Sequence, residues 1–132
     1  MKISIASDIH LEFGDLDLRN TDGAEVLILS GDICVARDVG ARDSYNILGE
    51  AYRSARVHDF FLRCAQEFAH VIYIVGNHEH YHGDFVQTVP GLKQHLGYIE
   101  NLHILDRECR DIGDVTFIGG TLWTDMNKED TF

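Results

Sequence analysis

"VIYIVGNHEHYHGDF", residues 71–85, decides how this chain is read. Five apolar residues run into Gly76, and histidines then occupy positions 78, 80 and 82. A short, continuous, β-branched run closed by glycine is the pattern of a strand buried on both faces of a mainly parallel sheet. "ISIAS" at 3–7 and "VLILS" at 26–30 repeat the pattern, and "LHIL" at 102–105 and "VTFIGG" at 115–120 follow. Between the second and third runs lies "SYNILGEAYRSARVHDFFLRCAQEFA", 44–69. Its later part spaces Val57, Phe60, Phe61, Cys64, Ala65 and Phe68 at three and four residues, which predicts an amphipathic helix. A second helix is expected over 84–95, capped by Asp84, with Pro90 tolerated near its start or at a break. The order β, loop, β, helix, β, helix, β, β reads as an α/β fold, with an antiparallel arrangement of the last strands left open.

The 132 residues suffice for one domain with a real core, and no repeat or linker divides them. No apolar run approaches the roughly 20 residues that span a bilayer. "MKISIASD" lacks the features of a signal peptide, so a cytoplasmic protein without membrane contact is expected. Cys34, Cys64 and Cys109 are odd in number and lack a CxxC pair, which favours reduced, structural thiols over disulfides. The formal charge of −11 opposes broad electrostatic binding of nucleic acid. No GxxxxGK[ST] stretch is present, which argues against a P-loop nucleotide hydrolase.

Three apolar runs end in the same way. The first is followed by "SDIH", with Asp8 and His10 two residues apart; extended backbone would point both to one side. The second is followed by Gly31 and Asp32, the third by Gly76, Asn77 and His78. Ligand sites of open parallel sheets lie beyond the carboxyl ends of the strands. A lone aspartate there is usually a turn or cap residue. An ordered set of Asp/His, Asp and Asn/His at three successive strand ends instead predicts one shared site.

"SDIH", "GD" and "GNHE", in that order, resemble the first three motifs of the calcineurin-like metallophosphoesterases, and "SDIHLEF" and "GGTLWTD" look most like the bacterial and phage-type members. The resemblance implies the N-terminal part of an α/β/β/α sandwich, mainly its first sheet with flanking helices. It implies two divalent ions (Mn, Fe, Zn, Ni or Co), with Asp8 and His10 on the first, Asp32 bridging both and Asn77 on the second through its side-chain oxygen. His78 would lie just outside the metal shell, as general acid or steadying the phosphoryl group. The reaction implied is hydrolysis of phosphate mono- or diesters by a metal-activated water.

Two departures qualify that match. Where many relatives carry an aspartate that orients the catalytic histidine, and an arginine beside it, this chain has Val35 and Ala36; Arg37 and Asp38, slightly further on, receive no role. The later histidine ligands, including a GHxH motif, have no counterpart, and no histidine follows His103. The domain over 1–132 is therefore expected to be truncated at its C-terminus and to hold as few as one ion. A catalytically inactive remnant or metal-binding module is the alternative to an enzyme. A half-sandwich would also expose an apolar sheet face, so self-association is expected. His80 and His82 are read as loop residues rather than ligands, and His58, His70, His95 and His103 as structural or solvated. Glu12, near the rim, is read as a solvated loop acid, with support behind the ligands as the alternative; Glu79 is read as a cap or support for the metal ligands, and Tyr81 and Trp123 as packing residues.

Overall fold

The computed structural model describes residues 1–40 and 48–123. Four of the apolar runs form parallel strands, β1 (Ile3–Ala6), β2 (Val26–Ser30), β3 (His70–Ile74) and β4 (Leu102–Ile104), side by side in that order. The register pairs Ile5 with Ile28 and Leu29 with Tyr73, so the carboxyl ends of β1, β2 and β3 lie level. The architecture is mixed α/β, a four-stranded parallel sheet flanked by helices.

Parallel strands need crossovers, and here those crossovers cover one face of the sheet. A short turn of helix, α1 (Ala36–Val39), and the long α2 (Leu48–Glu67) join β2 to β3. A 3₁₀ turn over His78–His80 and α3 (Phe85–Leu96) join β3 to β4. The spacing read from the sequence places Val57, Phe60, Phe61 and Cys64 against Leu27, Leu29, Val71 and Tyr73, with Leu92 and Leu96 of α3. Phe60 and Phe61 are fully buried, and each contributes about 1.5–3 kcal/mol by leaving water. Residues 44–47 of the predicted helical stretch lie outside the described residues, as does everything after Trp123.

Asp84 caps α3, its side chain accepting from the Val86 N–H at 2.8 Å. Pro90 sits well inside this helix rather than at its start or at a break. It removes the donor for the carbonyl of Val86, a residue that is 71% exposed.

The other sheet face meets an antiparallel hairpin, β5 (Glu108–Ile112) and β6 (Val115–Gly119). Its two-residue turn opens on Gly113 at φ 60, the positive φ that primed hairpin turns require. Ile112 and Phe117 pack with Leu105 on Val26 and Ile72. The sequence reading missed β5, because "ECRDI" has four exposed residues in five and no apolar alternation.

The expectation that the strands are buried on both faces holds for β2 and β3 and fails for β1. As the edge strand, β1 leaves Ile3 41% and Ile5 70% exposed, beyond the reach of the hairpin. Among the described residues, no helix is long and apolar enough to cross a membrane.

Candidate metal centre

Glycines at two strand ends make the site possible. Gly31, at φ 94, lies so close to Gly76 that a Cβ on it would stand 2.9 Å from the Gly76 Cα. A Cβ on Gly76 would in turn fall onto Asp32 Oδ1. The two loops can touch only without side chains, and their contact sets Asp32 beside Asn77 and His78. The His78 backbone N–H donates to Asp32 Oδ1 at 3.0 Å.

Asp8 and His10 reach the same place by a route that the alternation argument did not foresee. β1 ends at Ala6, and Asp8, His10 and Asp32 each have φ 54, in the left-handed region rather than in extended backbone. Backbone hydrogen bonds hold this turn: Asp8 N–H to Gly31 O and His10 N–H to Asp32 O, both at 3.1 Å. Such a conformation costs a non-glycine residue about 1–2 kcal/mol. Three such residues, all candidate ligands, mark a backbone shaped for the site rather than for stability.

The side chains converge accordingly. Asp8, His10 and Asp32 offer ligand atoms that all lie within 4.8 Å of one another. Asn77 lines the same cavity, of about 270 Å³, with Asp8, Asp32, Gly31, Thr121 and Trp123. Its Nδ2 donates to Tyr81 Oη at 2.8 Å, which leaves Oδ1 as the atom available for a ligand. Among the described residues neither Asp8 nor Asp32 has a Lys or Arg ion pair. Two neighbouring carboxylates and an imidazole without a counter-cation suit a divalent transition metal.

His78 stands beside this group, its ring edge-on to that of His10 with centroids 4.3 Å apart. Both rings meet Glu12: Nδ1 of His10 and Nδ1 of His78 each lie 3.0 Å from Glu12 Oε1. The reading of Glu12 as a solvated acid is thus corrected, because its side chain is only 14% exposed and is shared by two histidines. The hydrogen bond and the charge of Glu12 hold the His10 imidazole above its ordinary pKa, against a weaker effect of burial. Burial pushes Glu12 upward, but hydrogen bonds from its own backbone, His10 and His78 outweigh it and bring the carboxyl below its usual range.

Glu79 supports the strand ends from beneath. It is 1% exposed, and its carboxylate accepts from the N–H groups of Asp32, Ile33 and Gly76 and from Tyr73 Oη. The sequence reading assigned it a supporting part, and the structure gives that part a geometry.

The remaining candidates sort clearly. His80 stacks on Phe85 at 4.1 Å and lies 5.6 Å from Trp123, outside both potential ligand groups. His82 is exposed on the loop. His58 is buried between Tyr98 Oη and the Val39 carbonyl. Tyr81 and Trp123 are not core packing residues: they are 44% and 51% exposed, and both border the site. Val35 is buried and apolar, and Asp38 is paired with Arg53 at 3.2 Å. Cys34 is buried, its thiol pushed up by burial, and it joins no ligand group among the described residues. Burial pushes the Cys64 thiol up to about 12, while Cys109 is exposed. The signal that could have found Glu12 is the "DIHLE" spacing, which continues the Asp8, His10 alternation by one more step.

No protein-family model matches the chain, and no solved structure matches it. Among curated proteins it is similar to the uncharacterized protein L509 of Acanthamoeba polyphaga mimivirus, with 25% identity over 92% of this chain. The chain spans 44% of the length of that relative.

Proposed function

We propose that this chain carries the ligand cluster of a metal-dependent phosphoesterase that hydrolyses phosphate mono- or diesters, in the calcineurin-like arrangement its motifs resemble. The observation that most supports this reading is the convergence of Asp8, His10 and Asp32 from two parallel strand ends, with Asn77 from a third on the same cavity. The parallel sheet with a hairpin on its far face is compatible with the N-terminal layers of that family's sandwich.

In this reading Asp8, His10 and Asp32 would hold one divalent ion, of the Mn, Fe, Zn, Ni or Co kind, and Asp32 with Asn77 would hold a second. Such ions, when bound, polarise phosphoryl oxygens and lower the pKa of a water for in-line attack. His78, its Nδ1 engaged by Glu12, keeps Nε2 for a proton delivered to the leaving oxygen. Gly31 and Gly76 keep the floor of the cavity free of side chains, and Trp123 bounds one wall.

The test is turnover of a chromogenic phosphodiester and of the matching monoester with added Mn²⁺. His78→Ala is expected to lower turnover by about 10²–10⁴-fold, the usual worth of a general acid. Asp32→Asn is expected to lower both turnover and Mn²⁺ binding. Turnover unchanged by both substitutions sinks the proposal.

A second reading, a metal-binding module without catalysis, is favoured by the uneven ligand supply. Among the described residues the first ion has three ligands at the strand ends, and the second has only Asp32 and Asn77. One tightly held ion per chain with no turnover would select it.

A further inference from the structure

Glu12 lies beyond β1 in a loop, yet its carboxylate is largely enclosed between two histidines from different strand ends. Oε1 is 3.0 Å from Nδ1 of His10, two residues back, and 3.0 Å from Nδ1 of His78, across the site. The side chains of His10, Glu12 and His78 are 26%, 14% and 25% exposed. Oε2 is buried and has no hydrogen-bond partner among the described residues.

We propose that Glu12 is a positioning residue whose single oxygen fixes the tautomer and orientation of both His10 and His78. An ionised carboxylate only accepts, so each Nδ1 facing it must carry the proton. The other nitrogen of each neutral ring, Nε2, then faces away from Glu12: on His10 it is the bare atom for a cation, and on His78 it is the atom that takes up the proton later handed to the leaving oxygen. One anion thereby sets two rings that arrive from separate strands, and holds them edge-on at 4.3 Å. The same three side chains also form a potential ligand group, with His10 common to this group and that of Asp8 and Asp32. Contacts of 3.0 Å between nitrogen and oxygen are hydrogen-bond distances. The side chain of Val35, buried and apolar, offers no acceptor to His78.

What the two rings are oriented for rests on the phosphoesterase reading; the orientation itself does not. Long-range ¹H–¹⁵N spectra of the histidine rings in the metal-free full chain test it directly. Wild type is expected to show His10 and His78 protonated at Nδ1 and bare at Nε2. Glu12→Leu, similar in size and without an acceptor, is expected to let both rings relax toward the Nε2–H form. Glu12→Gln, which keeps an acceptor oxygen at the same reach, is expected to retain the wild-type tautomers. Mn²⁺ affinity by titration calorimetry should fall about 10–100-fold in Glu12→Leu and less in Glu12→Gln, as when a partner behind a metal ligand is removed.

A bare Nδ1 on either ring of wild type overturns the proposal, whether or not any variant folds. So do unchanged tautomers in Glu12→Leu, or, where wild type binds Mn²⁺, an equal affinity in that variant. If wild type binds no Mn²⁺ while its tautomers respond to Glu12 as expected, the phosphoesterase reading falls and the positioning role stands.

Discussion

Tyr73 Oη donates to Glu79 Oε1 at 2.8 Å, inside the core directly beneath the strand ends. The same carboxylate accepts from Ile33 N–H and Gly76 N–H, both at 2.7 Å, and from Asp32 N–H at 3.1 Å. It therefore fastens the loop after β2 to the loop after β3, which is the contact that sets Asp32 beside His78. Glu79→Ala would strand several buried donors, each costing about 1–3 kcal/mol when unpaired. A loss of about 3 kcal/mol or more is expected in urea unfolding, with Glu79→Gln losing less. An unchanged midpoint in Glu79→Ala would show that the clamp contributes nothing to the fold.

Asn77 depends on Tyr81, four residues later. Its Nδ2 is held by Tyr81 Oη at 2.8 Å, so its Oδ1 is turned to a defined position. Tyr81→Phe removes that hold and leaves the ring. If Asn77 binds a metal through Oδ1, the weaker of two Mn²⁺ steps should lose about tenfold or more in affinity, with the tighter step unmoved. Calorimetric titration of both proteins checks this, and equal second-step affinities would remove Asn77 from the ligand set.

His103, on β4 beside His70, titrates below its ordinary value of 6.5 because burial disfavours its charged form, with Arg110 and His70 adding to the effect. The unfolded chain then binds this proton more readily than the native one. Stability from this source is complete above pH 6.5 and is lost as the pH falls through the lowered native value. His80, lowered by burial as well, acts in the same direction. Thermal melts of the metal-free chain from pH 7.5 downward should show this acid limb, and His103→Leu should make it shallower.

The open face of β1 is expected to drive self-association. Ile5 is 70% exposed beside its register partner Ile28, and Ile3 is 41% exposed beside Val26. As the edge strand, β1 also offers one side of its backbone to a further strand. Sedimentation should show the chain growing in mass with concentration, and Ile5→Lys should shift that growth to higher concentration. A wild-type chain that stays monomeric throughout the accessible range would contradict the expectation.

What could be read in the sequence was whatever depends on neighbours along the chain. Short β-branched runs specify strands by local packing preference, and the three- and four-residue spacing of Val57, Phe60, Phe61 and Cys64 specifies which face of α2 turns inward. The repetition of a small residue and then Asp or Asn at strand ends was enough to single out Asp8, His10, Asp32, Asn77 and His78. β5 was not legible, because its five residues pair through the backbone while their side chains remain in water. The exposure of Ile5 was not legible either, since the same run reads alike in an edge strand and a central one.

Tertiary structure alone decided how the candidate residues meet. Glu12 and His78 are 66 positions apart, and nothing along the chain relates them. They meet because parallel pairing brings the ends of β1, β2 and β3 level, and because Gly31 and Gly76 leave room for their loops to touch. The left-handed turns at Asp8, His10 and Asp32 then aim the side chains at one point. The sequence by itself determined the residue types and their order. Their convergence is a product of sheet register and backbone approach, which act across distances that no local spacing encodes.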